Sequence, residues 1–120
     1  MSHCEVLLLE DVAFIAMEME IRLEAQGFSV MGPCLNLEEA YEALQRGTPD
    51  VAVLDVNLGD GETSFSLAED LHKKGVPVVF LSGYSADMVP PPSELKDAQR
   101  LTKPVREDDL LAAITAATSA

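Results

Sequence analysis

Val51-Ala52-Val53-Leu54-Asp55-Val56-Asn57-Leu58-Gly59-Asp60-Gly61 carries four apolar residues straight into a carboxylate, then into a polar, glycine-bearing loop. An apolar run without alternation reads as a strand buried on both faces, which is the mark of a parallel sheet between two helix layers. Such a strand has no structural need to end in an aspartate. In open α/β sheets, ligands bind at the carboxyl ends of the strands. Asp55 is therefore the first candidate for chemistry, and other residues qualify by being able to meet it in space.

Upstream, Glu5-Val6-Leu7-Leu8-Leu9 is a second short apolar run that ends in acid, Glu10-Asp11. A helix should follow from about Val12 to Gln26, stopped by Gly27. At about 100° per residue, Val12, Ile15, Ala16, Met19 and Leu23 share one stripe. Phe14, Met17, Ile21 and Ala25 form a second stripe almost opposite. A helix lying on a sheet needs one apolar stripe, so the second either packs under a loop or docks a partner through adaptable Met and Phe contacts.

Phe28-Ser29-Val30-Met31 reads as a short strand closed by Gly32-Pro33, and Asn36 as the N-cap of a helix from Leu37 to Arg46. Gly47-Thr48-Pro49-Asp50 is turn chemistry that delivers the chain into the Val51 strand. A third helix is expected from about Glu62 to Lys74, with Phe65, Leu67, Ala68 and Leu71 on its apolar face. Val76 to Leu81 is a fourth strand, ending at Ser82-Gly83-Tyr84. The signal weakens from Ser85 to Asp97, where Pro90-Pro91-Pro92 forces any helix to be short or broken. Gln99 to Thr102 is a short fifth strand, followed by Lys103-Pro104. The last helix begins near Arg106, with Leu110, Leu111 and Ile114 facing the core. This βα alternation with short loops predicts one α/β domain, a doubly wound parallel sheet with helices on both faces.

Composition narrows the function. The chain has 120 residues, 48% hydrophobic, with 8 basic against 21 acidic residues and a formal charge of −13. That balance argues against nucleic acid or an anionic membrane as partner, because phosphate backbones are held mainly by Lys and Arg. No apolar stretch approaches membrane-spanning length and no signal peptide is evident, so a cytoplasmic location is expected. Cys4 and Cys34 lack any metal-ligand or redox spacing, and two free thiols suit a reducing compartment.

Three strand ends carry polar residues that could converge, Glu10-Asp11, Asp55 and Ser82, and a fourth supplies Lys103. Carboxylates a few ångström apart repel by roughly 4 kcal/mol per pair at 4 Å and moderate effective dielectric. Such a cluster raises a pKa or binds a cation. Oxygen ligands without His or Cys point to Mg²⁺. Ser82 offers a hydroxyl and Lys103 a point charge, both suited to phosphate oxygens. The set describes phosphoryl transfer with Asp55 as nucleophile. Taken singly, each residue has a plain alternative as a turn, a strand-end cap or a surface charge. Their shared position at strand ends is what argues for chemistry.

With Glu10-Asp11, Asp55, Ser82 and Lys103-Pro104 in place, the whole chain resembles the receiver domain of bacterial two-component response regulators (CheY-like). The resemblance implies a flavodoxin-like, five-stranded sheet in the order 2-1-3-4-5 with five helices, over residues 1–120 as one domain. It implies that Asp55 takes a phosphoryl group from a phosphohistidine on a histidine kinase or histidine phosphotransfer protein. Mg²⁺ would be bound by Asp11, Asp55 and the backbone carbonyl of Asn57. Glu10 would assist through water, Ser82 and Lys103 would hold the phosphate, and the Lys103–Pro104 bond would be cis. The chain would be a phosphoacceptor with self-catalysed phosphotransfer and dephosphorylation rather than an enzyme acting on others.

The departures are informative. Arg100 stands where a typical receiver has a Tyr or Phe that swings inward on activation. Phe80-Leu81-Ser82-Gly83-Tyr84 resembles the Phe-Ala-Thr-Gly-Tyr signature of the FAT GUY subgroup, often stand-alone regulators, in which Tyr84 could take over part of the switching. The expected output is docking to a downstream protein, with Phe14, Met17 and Ile21 meeting the kinase or phosphotransfer helix pair. Competing readings are a degenerate receiver that binds partners without phosphorylation, and an aspartyl-phosphate phosphatase. The phosphatase would want a second acid where Asn57 stands.

Overall fold

The computed structural model describes residues 4–59, 61–83 and 90–119. Five strands are present: β1 (Glu5–Leu9), β2 (Ser29–Cys34), β3 (Val51–Asp55), β4 (Val78–Ser82) and β5 (Gln99–Thr102). They form one sheet in the order β2-β1-β3-β4-β5, and every neighbouring pair is parallel. The helices are α1 (Ala13–Ala25), α2 (Leu37–Leu44), α3 (Phe65–Lys73) and α4 (Glu107–Thr118), with a 3₁₀ turn at Ser93–Leu95. This is the doubly wound, flavodoxin-like architecture expected from the βα alternation. The short fourth helix is represented by the 3₁₀ turn directly after the proline run.

Strand periodicity decides which helix covers which face. Leu7, Leu9, Ala52, Leu54, Val78 and Phe80 point into one core with Ala40 and Ala43 of α2 and Leu67, Ala68 and Leu71 of α3. Their alternates Val6, Leu8, Val51, Val53, Val79 and Leu81 point into the other, with Met19 and Leu23 of α1 and Leu110, Ala113 and Ile114 of α4. Successive side chains leave a strand on opposite faces, so an unbroken apolar run serves both layers at once.

The turns that return the chain to the sheet use one device twice. At the end of α1, Phe28 N–H donates to the Leu23 carbonyl and Gly27 N–H to that of Glu24, with Gly27 at φ 94°. At the end of α3, Val76 N–H donates to Leu71 and Gly75 N–H to His72, with Gly75 at φ 81°. This pattern satisfies the last carbonyls of a helix and needs a residue that tolerates positive φ. Asn36 caps α2 as expected, its Oδ1 accepting from Glu39 N–H at 2.9 Å. Glu39 Oε1 in turn accepts from Leu35 N–H at 2.8 Å, a variant of the reciprocal capping box.

Several boundaries differ from the sequence reading for identifiable reasons. Strand β2 does not stop at Gly32-Pro33 but continues to Cys34, and the register slips between Leu7 and Leu9 to absorb the extra residue. Proline is tolerated because β2 is an edge strand. Helix α3 begins at Phe65 rather than Glu62, because Glu62 accepts from Leu58 N–H and Thr63 bridges Asn57 within the preceding loop. Strand β4 begins at Val78, since Val76 belongs to the cap of α3. Helix α2 ends at Leu44 rather than Arg46, because Gln45 is already its C-cap. Val12, placed in the core stripe of α1, is instead its exposed N-cap, whereas Ala16, Met19 and Leu23 are buried. Among the described residues, no helix is long and apolar enough to cross a membrane.

Candidate functional site

Parallel register brings the four strand ends together as a staircase. Leu9 lies opposite Leu54, so Glu10 follows β1 beside the end of β3, where Asp55 lies opposite Leu81. Ser82 lies opposite Thr102, and Lys103 is the next residue. Backbone bonds hold the steps in place: Val56 N–H to Leu81 at 2.8 Å, Lys103 N–H to Ser82 at 2.8 Å, and Glu10 N–H to Cys34 at 3.0 Å. The Lys103–Pro104 peptide is cis, as is Gly32–Pro33, which sequence reading did not single out.

One carboxylate oxygen from each of Glu10, Asp11 and Asp55 lies within 4.8 Å of the others. Glu10 is fully buried, Asp55 nearly so, and Asp11 is exposed. The Lys103 ammonium bridges two of them, at 2.6 Å from Glu10 Oε1 and 3.0 Å from Asp55 Oδ2. Glu10 Oε2 also accepts from Val12 N–H at 3.0 Å, so both Glu10 oxygens are engaged by the chain itself. Asp11 and Asp55 are then the acids best placed to face a bound cation. An all-oxygen donor set of this kind fits a hard divalent ion such as Mg²⁺.

The electrostatics follow from burial. The Asp55 carboxyl is pushed up to about 8, first by loss of water around it and then by the proton it shares with Asp11. Lys103 opposes that shift without overcoming it, while the charge on Glu10 adds to it. Burial works upward on Asp11 too, but the shared proton from Asp55 and a contact with Glu10 hold its carboxyl below the ordinary value. Burial works downward on the Lys103 ammonium, and hydrogen bonds to Glu10 and Asp55 reverse it, leaving the pKa raised. Burial and the neighbouring acids thus favour the protonated form of Asp55, while the same acids favour the charged form of Lys103.

Asn57 lies two residues beyond Asp55, in a loop that closes on itself through the Asn57–Thr63 bridge and the Leu58–Glu62 bond. Its Oδ1 accepts from Gly59 N–H at 3.0 Å. The Asn57 side chain is thereby tied into its own loop. Ser82 is fully buried and its Oγ accepts from Arg100 Nε at 3.4 Å. This contact was not legible in the sequence, which showed only an unusual residue at position 100. Tyr84 lies outside the described residues. Phe14, Met17 and Ile21 stand on the outer side of α1, at 76%, 58% and 65% exposure, and do not join the acid cluster.

The raised Asp55 carboxyl has a thermodynamic consequence. Between its unfolded value near 3.8 and its folded value of about 8, the folded chain holds a proton that the unfolded chain has released. Stability contributed by this group is full below the lower value and is lost as pH rises toward the upper, by up to roughly 1.4 kcal/mol per pH unit. Urea denaturation with a chelator present should show stability falling from pH 5 to 8 in the wild type, with that part of the slope absent in Asp55→Asn. An identical slope in both proteins would contradict the assignment.

Comparison with known proteins agrees with this geometry. Residues 6–115 match the family model described as response regulator receiver domain. The transcriptional regulatory protein PdtaR of Mycobacterium tuberculosis is 30% identical over 115 residues, covering 95% of this chain and 56% of the relative. The phyllosphere-induced regulator PhyR of Methylorubrum extorquens is 34% identical over 82 residues, 67% of this chain and 31% of the relative. The chain thus spans about half the length, or less, of the curated relatives it matches. The solution structure of SdrG from Sphingomonas melonis Fr1 superposes with a TM-score of 0.78 at 36% identity, covering 95% of this chain and 98% of that one. With the family model spanning nearly all of its length, this chain belongs to the response regulator receiver domain family of two-component signalling.

Proposed function

We propose that this chain is a Mg²⁺-dependent phosphoacceptor that takes a phosphoryl group onto Asp55 from a phosphohistidine of a histidine kinase or phosphotransfer protein. The observation that carries this reading is the Lys103 ammonium seated 3.0 Å from Asp55 Oδ2 within a cluster of buried acids. A binding module would have no use for that arrangement, because burying carboxylates is costly and a partner surface does not need them. This favours the phosphoacceptor over the degenerate, phosphorylation-independent receiver.

In the reaction, an Asp55 oxygen attacks phosphorus, the P–N bond breaks, and the imidazole leaves with the electron pair. Asp11, Asp55 and the Asn57 carbonyl would hold Mg²⁺, which when bound neutralises charge on the acids and the transferring group. Lys103 would shift its ammonium toward the phosphoryl oxygens, and Ser82 would donate its hydroxyl proton to another of them. Hydrolysis later returns the carboxylate and inorganic phosphate, so the chain catalyses its own loading and unloading without a separate substrate. Asn57 lacks the carboxyl that an aspartyl-phosphate phosphatase would use as acid and base at that point. Subgroup membership of the FAT GUY kind, a cytoplasmic location and output by docking to a downstream protein are parts of the same proposal.

Incubation with acetyl phosphate and Mg²⁺ should add one phosphoryl mass to the wild type and none to Asp55→Asn. An unmodified wild type, or an equally modified variant, would sink the reading.

The outer stripe of α1 supports a docking role for Phe14, Met17 and Ile21, since three large apolar side chains stay exposed on a helix whose other face already fills the core. Replacing Phe14 and Ile21 by serine should slow transfer from a phosphorylated histidine phosphotransfer protein by tenfold or more, about 1.4 kcal/mol of lost docking. Loading by acetyl phosphate, which needs no docking, should be unchanged. Equal slowing with both donors, or none with either, would contradict the assignment.

A further inference from the structure

Strand β5 places Arg100 opposite Phe80 and Thr102 opposite Ser82. Residues two apart on a strand share a face, so the side chains of Arg100 and Ser82 leave the sheet on the same side. Arg100 Nε lies 3.4 Å from Ser82 Oγ. Ser82 is fully buried and Arg100 half-buried, so this contact is made largely away from water.

The chemistry of the pair is one-directional. A guanidinium carries five donors and no acceptor, and it stays protonated. Ser82 must therefore accept from Arg100, and its own proton is turned away from the guanidinium. A phenylalanine at position 100 could not impose this, and a tyrosine could donate or accept. Accepting a bond from a cation also polarises the O–H, strengthening the serine as a donor to an anion.

We propose that Arg100 is a positioning residue for the phosphoryl group on Asp55, acting through Ser82. It fixes the serine hydroxyl as a donor toward the phosphoryl oxygens and places a guanidinium beside that serine, in addition to the Lys103 ammonium beside Asp55. The usual inward-swinging aromatic is thereby replaced by a charge-assisted hydrogen bond that reports directly on the serine. The inference rests on the reading of Asp55 as phosphoacceptor.

The test measures the rate of loading by acetyl phosphate with Mg²⁺ in wild type, Arg100→Met, Arg100→Lys, Ser82→Ala and the Ser82→Ala/Arg100→Met double variant, with the lifetime of the phosphorylated form as a second readout. Arg100→Met should load roughly tenfold more slowly, the scale of one charge-assisted hydrogen bond in a transition state. Arg100→Lys should recover part of that loss, and Arg100→Met should have no further effect once Ser82 is alanine. Wild-type loading without any change in Arg100→Met overturns this inference alone. So does an undiminished effect of Arg100→Met in the Ser82→Ala background, which would mean that Arg100 does not act through the serine. A wild type that takes up no phosphoryl group overturns the phosphoacceptor reading and this inference together.

Discussion

The ion pair from Lys103 to Glu10 and Asp55, at 2.6 and 3.0 Å, is the constraint on which the site depends. Two carboxylates buried at adjacent strand ends would repel each other and lose their hydration, and the core beneath them is apolar on both faces. One ammonium between them offsets much of that cost, because opposite charges interact strongly where water is excluded. Burial and the neighbouring Asp11 also raise the Asp55 carboxyl pKa, to about 8, which favours its neutral form and lessens the repulsion. The acids are thus held beside one another chiefly by the lysine that bridges two of them.

The sheet delivers these groups with little help from the loops. Because β1, β3, β4 and β5 are parallel neighbours, their carboxyl ends share one edge, and the register steps Glu10, Asp55, Ser82 and Lys103 along it. Strands β1, β3 and β4 are buried on both faces, and backbone bonds such as Lys103 N–H to Ser82 and Val56 N–H to Leu81 continue the pairing just past the strand ends. The loop after β3, which carries Asn57 two residues beyond Asp55, is closed by its own backbone bonds. The candidate site residues are concentrated where four well-packed strands stop.

Much of this was legible in the sequence because two physical signals were strong. Unbroken apolar runs such as Val6 to Leu9 and Val51 to Leu54 identify doubly buried strands, and acids at their ends stand out against that background. Other features depend on distance in three dimensions. That Lys103 would bridge Glu10 and Asp55, or that Arg100 would reach Ser82, requires the register of strands far apart in the chain. Boundaries failed where local rules competed: Gly32-Pro33 reads as a stop, yet an edge strand can carry it. Glu62 and Thr63 suit a helix start, yet the loop uses them to close itself. Val12 has the spacing of a core residue, but it precedes the first turn of α1 and stays exposed.

Asp11 and Asp55 are the acids through which Mg²⁺ is proposed to prepare Asp55 for the phosphoryl group. Calorimetric titration of Mg²⁺ into wild type and Asp11→Asn tests that role most directly. The wild type should show a single site and the variant an affinity at least about tenfold weaker, as expected on removing one of a few protein ligands. No Mg²⁺ binding by the wild type, or equal binding by both proteins, would contradict it.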